Sequence, residues 1–500
     1  MATAPEPAAP ARLRRPETFG LLVILLAGLL LRIWLASRGS GLTMDSALYV
    51  RMAEGLRAGD PLSAPAHQGY PLLIALASVL GGGREWPGRL VSLAASLALI
   101  PLVWWTARRR LPALPSLAAA AMVAAHPLLA VYGGSIMTEA SFLTLAFAGV
   151  SLLDRGRPGW GGALLGASWW VRPEAAVVAP LAILWAPLRG RARLLAALWV
   201  LAVALPHSLV LTAAEGRWTL TPKTSLVRAP FEGARGAEWR LADPTAFADT
   251  VGLVQRLARD GRSIARAYPA RLFAHAARVL DAWPALLLLV SFAGCVSGGA
   301  GAWLAFLTLP LVYPLLSAPA DVRFAQLTVP ALAMLAASGA ARAWTRDVRG
   351  RVVAAVVLLA GLVWLWSPGP ASTRALAFDD GPMAAMRGAG AWLAGHSRAD
   401  AVVMDRKSYV PFFANRRHVQ LPDEPLGVLL DFARDSGASH LVVEEYMVQS
   451  LRPQLAPLLD ADSIRAERRV RLVFATRPAP GDGVAVFEVV GGARPRFSAT

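Results

Sequence analysis

Apolar residues come in long blocks through roughly the first 370 positions of this chain and in short runs after that. A bilayer core takes about 20 predominantly apolar residues per helix. The segments 18–36, 87–107, 112–131, 136–153, 159–170, 173–188, 193–213, 281–298, 302–317, 324–340 and 352–367 are the candidate spans, about eleven in number. The stretch "GYPLLIALASVLGGG" (69–83) is short for a crossing and reads as a helix dipping into one leaflet. In "VQRLARDGRSIARAYPARLFAHAARVL" the apolar residues recur at helical spacing among arginines, the pattern of a helix lying on headgroups.

After "WSPGPAST" the pattern changes. Two helical segments, "MAAMRGAGAWLAGH" and "EPLGVLLDFARDSG", alternate with the β-rich runs "AVVM", "HLVVEEY", "RVRLVFAT" and "VAVFEVV", which predicts a small α/β domain. Asp405, Glu444, Glu445, His396, His418 and His440 fall there without metal-ligand spacing, so surface and core roles are expected for them. The predicted organisation is a tail at 1–17, a membrane region at 18–367 with outer loops 37–86 and 214–280, and a soluble domain at 368–500.

Composition agrees with a polytopic membrane protein: 55% of residues are hydrophobic and 17% charged, against about 25% charged in an ordinary soluble domain. The net charge of +17 would suit a nucleic-acid binder, but the arginines sit in short tracts between apolar blocks (108–110, 155–157, 189–193, 342–351). Such tracts mark the cytoplasmic side and contact anionic lipid, and nucleic acid is set aside. A single cysteine, Cys295, excludes an intrachain disulfide framework and a multi-cysteine zinc site. The basic flank and apolar run near the start resemble a signal peptide, but Arg32 and a poor cleavage pattern favour an uncleaved first span.

With the amino terminus inside, alternation puts every strongly basic short loop on one face and the terminal domain on the other. The same alternation gathers costly ionisable groups on the outer face: Asp45 (with Glu54 and Asp60 in its loop), Glu139, Arg172 with Glu174, and Arg323. Each has a bland reading. Thr43 or Asp45 caps the helix starting at Ser46, Glu139 sits in the first turn of its helix, and Arg172 with Glu174 is a local ion pair. Together they favour a shared cavity, in which a carboxylate takes a proton from or orients an attacking hydroxyl or amine, and arginine neutralises a lipid-linked phosphate. A transporter and a lipid-linked glycan ligase of another family remain as alternatives; no convincing internal repeat supports the transporter.

The segment "MDSALYVRMAEGLRAGD" resembles the first outer loop of GT-C glycosyltransferases, in the branch of the protein O-mannosyltransferases and lipid A aminoarabinose transferases (glycosyltransferase family 39-like). "HQGYPLLIALASVLGG", "GRLVSLAASLALIPLVWWTARRRL", "SIMTEASFL", "WWVRPEAAVVAP" and "VRFAQLTVPALAMLAA" resemble later family segments in the same order, over roughly residues 18–345. The resemblance implies a multi-pass inner-membrane enzyme that moves a sugar from a polyprenyl phosphate of the undecaprenyl type, with inversion, to a lipid A, protein or glycan acceptor on the extracytoplasmic side. It implies Asp45 as the catalytic acid position, with Tyr49 one turn on. Arg172 and Arg323 are assigned to the donor phosphate, and Lys223 in "WTLTPK", one of two lysines in the chain, is a further phosphate contact or a solvated loop residue. His67, Glu139 and Glu174 complete the candidate substrate-binding set. Two departures stand out: many relatives have Asp-Glu where this chain has Asp45-Ser46, and Gln68 replaces the usual proline. Some members use a divalent metal and others none, and no ligand set in this sequence decides between them.

Overall fold

Breaks in the apolar blocks decide where the helices end. The computed structural model describes residues 15–38, 42, 45–60, 67–215, 253–296, 301–316, 320–344, 347–367 and 380–490. The first ten helices are α1 (Arg15–Arg38), α2 (Ser46–Arg57), α3 (Gly69–Ala77), α4 (Trp86–Ala107), α5 (Ala113–Ala125), α6 (Pro127–Gly134), α7 (Thr138–Asp154), α8 (Pro158–Val171), α9 (Ala175–Trp185) and α10 (Gly190–Glu215). Among the described residues five helices are long and apolar enough to cross a membrane, and seven spans result if each of two bent pairs counts as one. Apolar side chains on α1 and α10, such as Leu22, Leu26, Leu30, Leu194, Leu198 and Leu201, are exposed. Such exposed apolar stripes are what membrane-crossing helices present to lipid.

The bent pairs correct two of the expected spans. Segment 112–131 is not one helix: His126, preceding Pro127, is extended (φ −67°, ψ 121°), and α5 meets α6 at 55°. A residue before proline is driven out of the α region by the ring, which sets the break there. Segment 281–298 likewise divides, because the amphipathic helix Leu253–Ala282 runs to Ala282 and turns through 95° at Trp283-Pro284 into Ala285–Gly294. The short helix at α3 with its following turn to Leu80 agrees with a segment too short to span, and Val79 and Leu80 are largely exposed.

Arg32, which interrupts the first apolar run, is fully buried. Its Nε donates to Ser96 Oγ at 2.7 Å, and Nη1 donates to the carbonyls of Gly28 and Ala124, both at 3.0 Å. These hydrogen bonds join α1 to α4 and α5, so the charge is solvated by the protein itself. Elsewhere small residues let backbones touch. A Cβ at Gly294 would lie 2.0 Å from the Leu335 carbonyl oxygen, and one at Gly339 would lie 2.2 Å from that of Val290. Gly339→Leu must therefore push Ala285–Gly294 away from Val329–Trp344. It should lower stability by at least ~1–3 kcal/mol, the usual cost of overpacking, seen as a fall in the melting temperature of the solubilised protein.

The terminal domain is a five-stranded sheet in the order β2-β1-β3-β5-β4, with β1 (Val402–Asp405), β2 (Arg417–Gln420), β3 (His440–Glu444), β4 (Val470–Thr476) and β5 (Val484–Val489). β1 pairs parallel with β2 and β3, whereas β5 is antiparallel to β3 and β4. The helices Asp380–His396 and Leu426–Asp435 stand where the sequence places them. The strand missed by pattern is β2, a four-residue edge strand rich in polar residues. Alternation along the strands makes two cores. Val403, Val442 and Val486 face Leu393 and Phe412 in a core continuous with the membrane helices, while Met404, Leu441, Val443 and Phe487 face Leu429 and Leu430.

Candidate active site

Asp45 occupies the N-cap position of α2, but its side chain makes no capping hydrogen bond. The helix instead uses the Asp45 carbonyl, which accepts from the Tyr49 amide at 3.1 Å. The carboxylate is left to face Arg323, whose Nη1 lies 3.7 Å from Oδ2, and Lys407, whose Nζ lies 3.8 Å from Oδ1. The purely capping reading of Asp45 thus does not describe its side chain; Thr43, the other candidate cap, lies outside the described residues.

Three neighbours aim α2. Ser46, fully buried, donates from Oγ to the Ile136 carbonyl at 2.9 Å, tying the start of α2 to the turn that opens α7. An acidic side chain at this position would set a carboxylate against that carbonyl oxygen; a serine hydroxyl supplies the needed donor. Tyr49 is buried edge-on against Tyr70 (centroids 5.4 Å apart), and Tyr70 Oη is held by Gly88 and Ser92. At the far end of α2, Glu54 accepts two hydrogen bonds from Arg84, at 2.6 and 2.7 Å.

Beside Asp45 lies a buried ionic triad. Arg172, at the C-cap of α8, donates from Nη1 to Thr138 Oγ1 (3.0 Å) and Glu139 Oε1 (2.6 Å), and from Nη2 to Glu174 Oε1 (2.5 Å). Tyr313 Oη donates to the same Glu174 oxygen at 3.1 Å. Arg172, Glu139 and Glu174 are 4%, 1% and 8% exposed, so this guanidinium is committed to two carboxylates inside the protein. Arg323 is placed differently. It sits in a one-turn helix, Val322–Ala325, capped by Asp321, and is partly exposed. The Phe324 ring lies 4.8 Å from the Arg323 guanidinium carbon and 5.8 Å from that of Arg172, which brings the two groups into one site. Tyr313 and His275 stack behind Phe324, so the amphipathic helix Leu253–Ala282 helps to form this wall.

The structure therefore gathers Asp45, Glu139, Arg172, Glu174 and Arg323, with Tyr49 packed beneath. His67 belongs to a second buried cluster, where its Nδ1 lies 3.2 Å from His207 Nε2 and its ring meets Trp169 edge-on. Lys223 lies outside the described residues. Among the described residues no three histidine, cysteine or acidic side chains converge as a metal-binding group. Lys407 escaped the sequence reading. Its signal was available, since it is the second of the two lysines in the chain, but nothing local connects the loop after β1 with a carboxylate in the first outer loop.

Residues 68–218 match the family described as dolichyl-phosphate-mannose-protein mannosyltransferase. No curated protein matches the sequence. Among solved structures, apo ArnT from Cupriavidus metallidurans superposes with a TM-score of 0.54 at 14% identity, over 96% of this chain and 100% of that one. The same protein bound to undecaprenyl phosphate gives 0.51, also at 14% identity, over 96% and 99% of the two chains. The archaeal oligosaccharyltransferase AglB from Archaeoglobus fulgidus, in complex with an inhibitory peptide and a dolichol-phosphate, gives 0.59 at 12% identity, covering 97% of this chain and 75% of that one. Identities this low establish the fold, and the matched segment adds a sequence link. Residues 68–218 thus carry a sequence likeness to that mannosyltransferase family, and the chain as a whole shares the fold of ArnT and AglB.

Proposed function

We propose that this protein transfers a sugar from a polyprenyl-phosphate donor to a hydroxyl or amine of a lipid, protein or glycan acceptor at the extracytoplasmic face of the inner membrane. The observation that carries this reading is the Asp45 carboxylate, which forgoes capping its own helix and faces a cation delivered from residue 323. Asp45 removes or orients the acceptor proton. The acceptor oxygen or nitrogen attacks the anomeric carbon, the bond from that carbon to the phosphate oxygen breaks, and the polyprenyl phosphate departs with the electron pair. Arg323 offsets the charge that develops on the leaving phosphate. In this scheme Arg172 is a scaffold: held by Glu139 and Glu174, it fixes the wall on which Phe324 and Arg323 rest.

The solved relatives support a lipid-phosphate donor, since ArnT was captured with undecaprenyl phosphate and AglB with a dolichol-phosphate. Mass spectrometry of envelope glycans and lipids tests the reading, comparing cells with and without the protein. Loss of one glycan mass increment together with accumulation of a polyprenyl-phosphate sugar is expected; unchanged glycans and an unchanged donor pool contradict it. Sidedness has its own test, a cysteine at the exposed position 58 (Ala58→Cys) in a Cys295→Ser background. It should react with a membrane-impermeant maleimide added from outside, and protection from that side alone contradicts the assigned topology.

A further inference from the structure

The second cation on Asp45 comes from the terminal domain. Lys407 lies in the loop between β1 and the helix Tyr409–Ala414, at the carboxyl end of β1. That loop is anchored from below by Asp405, which is fully buried and whose Oδ2 accepts from the Val410 amide at 3.4 Å. From the side, His418 Nε2 lies 3.0 Å from the Asp405 carbonyl oxygen. Burial, with Glu444 nearby, holds the Asp405 carboxyl well above the usual carboxylate range.

The domain also holds α2 through Arg51 and through Arg84, the partner of Glu54. Arg51 donates to the Arg416 carbonyl at 2.8 Å, and Arg84 donates to the Phe412 carbonyl at 2.6 Å while stacking 4.1 Å over the Phe412 ring. The placement of Lys407 opposite Asp45 is thus one of three ties between residues 45–84 and the same segment of the terminal domain.

Charge decides what that lysine does. Asp45, Asp321, Glu139 and Glu174 are set against Arg172, Arg323 and Lys407 in the site, and Arg172 is already committed to its two buried carboxylates. Without Lys407 a single arginine would have to attract a phosphate past Asp45 and Asp321. Both cations stand off Asp45 at 3.7–3.8 Å, longer than a hydrogen bond of about 2.7–3.2 Å, and both are partly exposed. Their N–H groups remain available to a phosphate entering between them.

We infer that Lys407 and Arg323 form the two sides of the donor-phosphate clamp, so that the terminal α/β domain completes the active site. This rests on the transferase reading above. The test is binding of farnesyl phosphate, a short polyprenyl phosphate, to the full-length protein in nanodiscs, which needs no turnover. Lys407→Met should weaken binding roughly ten- to a hundredfold, the range for one charge-assisted hydrogen bond. It should also raise the donor KM more than it lowers kcat. Lys407→Arg should recover most of the loss, and Arg398→Met, in the same domain but on its exposed surface, should change nothing. If the wild type binds and a folded Lys407→Met protein binds equally well, the clamp is wrong while the transferase reading stands. If the wild type itself does not bind farnesyl phosphate, both fall.

Discussion

Asp45→Asn should reduce sugar transfer on the order of 10²–10⁴-fold, the range associated with losing a general base, while the protein folds and inserts as before. Asparagine is as good an N-cap as aspartate, and the Asp45 side chain makes no capping hydrogen bond that could be lost. The ion pairs to Arg323 and Lys407 are long and partly solvent-exposed, so their removal costs little stability. The variant should therefore match the wild type in yield and melting temperature and still bind farnesyl phosphate at least as firmly, since a neighbouring negative charge is lost. A folded Asp45→Asn protein with undiminished turnover would remove Asp45 from the chemistry.

Arg172→Met is expected to act on the fold first. It leaves Glu139 and Glu174 buried with their common cation gone, and breaking a buried pair in this way costs about 3–5 kcal/mol. Yield and thermal stability should fall sharply. Adding Glu139→Gln and Glu174→Gln to the same chain should restore much of the stability, because the triple variant no longer buries unpaired charge. Arg323→Met offers the contrast. Its partners are longer and partly solvated, so its stability should stay near that of the wild type while transfer declines. Equal destabilisation by the two arginine substitutions would contradict the division into scaffold and clamp.

Much of the architecture was legible because membranes impose a strong pattern. Apolar blocks located the helices, and the β-rich runs after residue 400 located four of the five strands. The breaks at His126-Pro127 and Trp283-Pro284 were less visible, since hydropathy does not register a change of direction within an apolar run. At the site, charge at the ends of apolar segments was enough to single out Asp45, Glu139, Arg172, Glu174 and Arg323. It was not enough to say how they divide. An arginine two residues from a glutamate looks the same in sequence whether it is free for a ligand or locked by a second carboxylate from another helix, as Arg172 is. Ser46 appeared only as a departure from a familiar pattern, and its hydrogen bond to Ile136 gives the departure a physical reason. Lys407 depends on the docking of one domain on another, which no local spacing encodes.

The central claim is that a sugar leaves a polyprenyl phosphate at Asp45. The most direct measurement incubates the purified, reconstituted protein with a sugar-labelled polyprenyl phosphate and an envelope extract as acceptor source, and quantifies released polyprenyl phosphate and acceptor-bound label together. The wild type should release one polyprenyl phosphate for each sugar transferred, and Asp45→Asn should lower both products together by about 10²–10⁴-fold. Movement of the intact donor across the bilayer without cleavage, or transfer that persists undiminished in the Asp45→Asn protein, would contradict it.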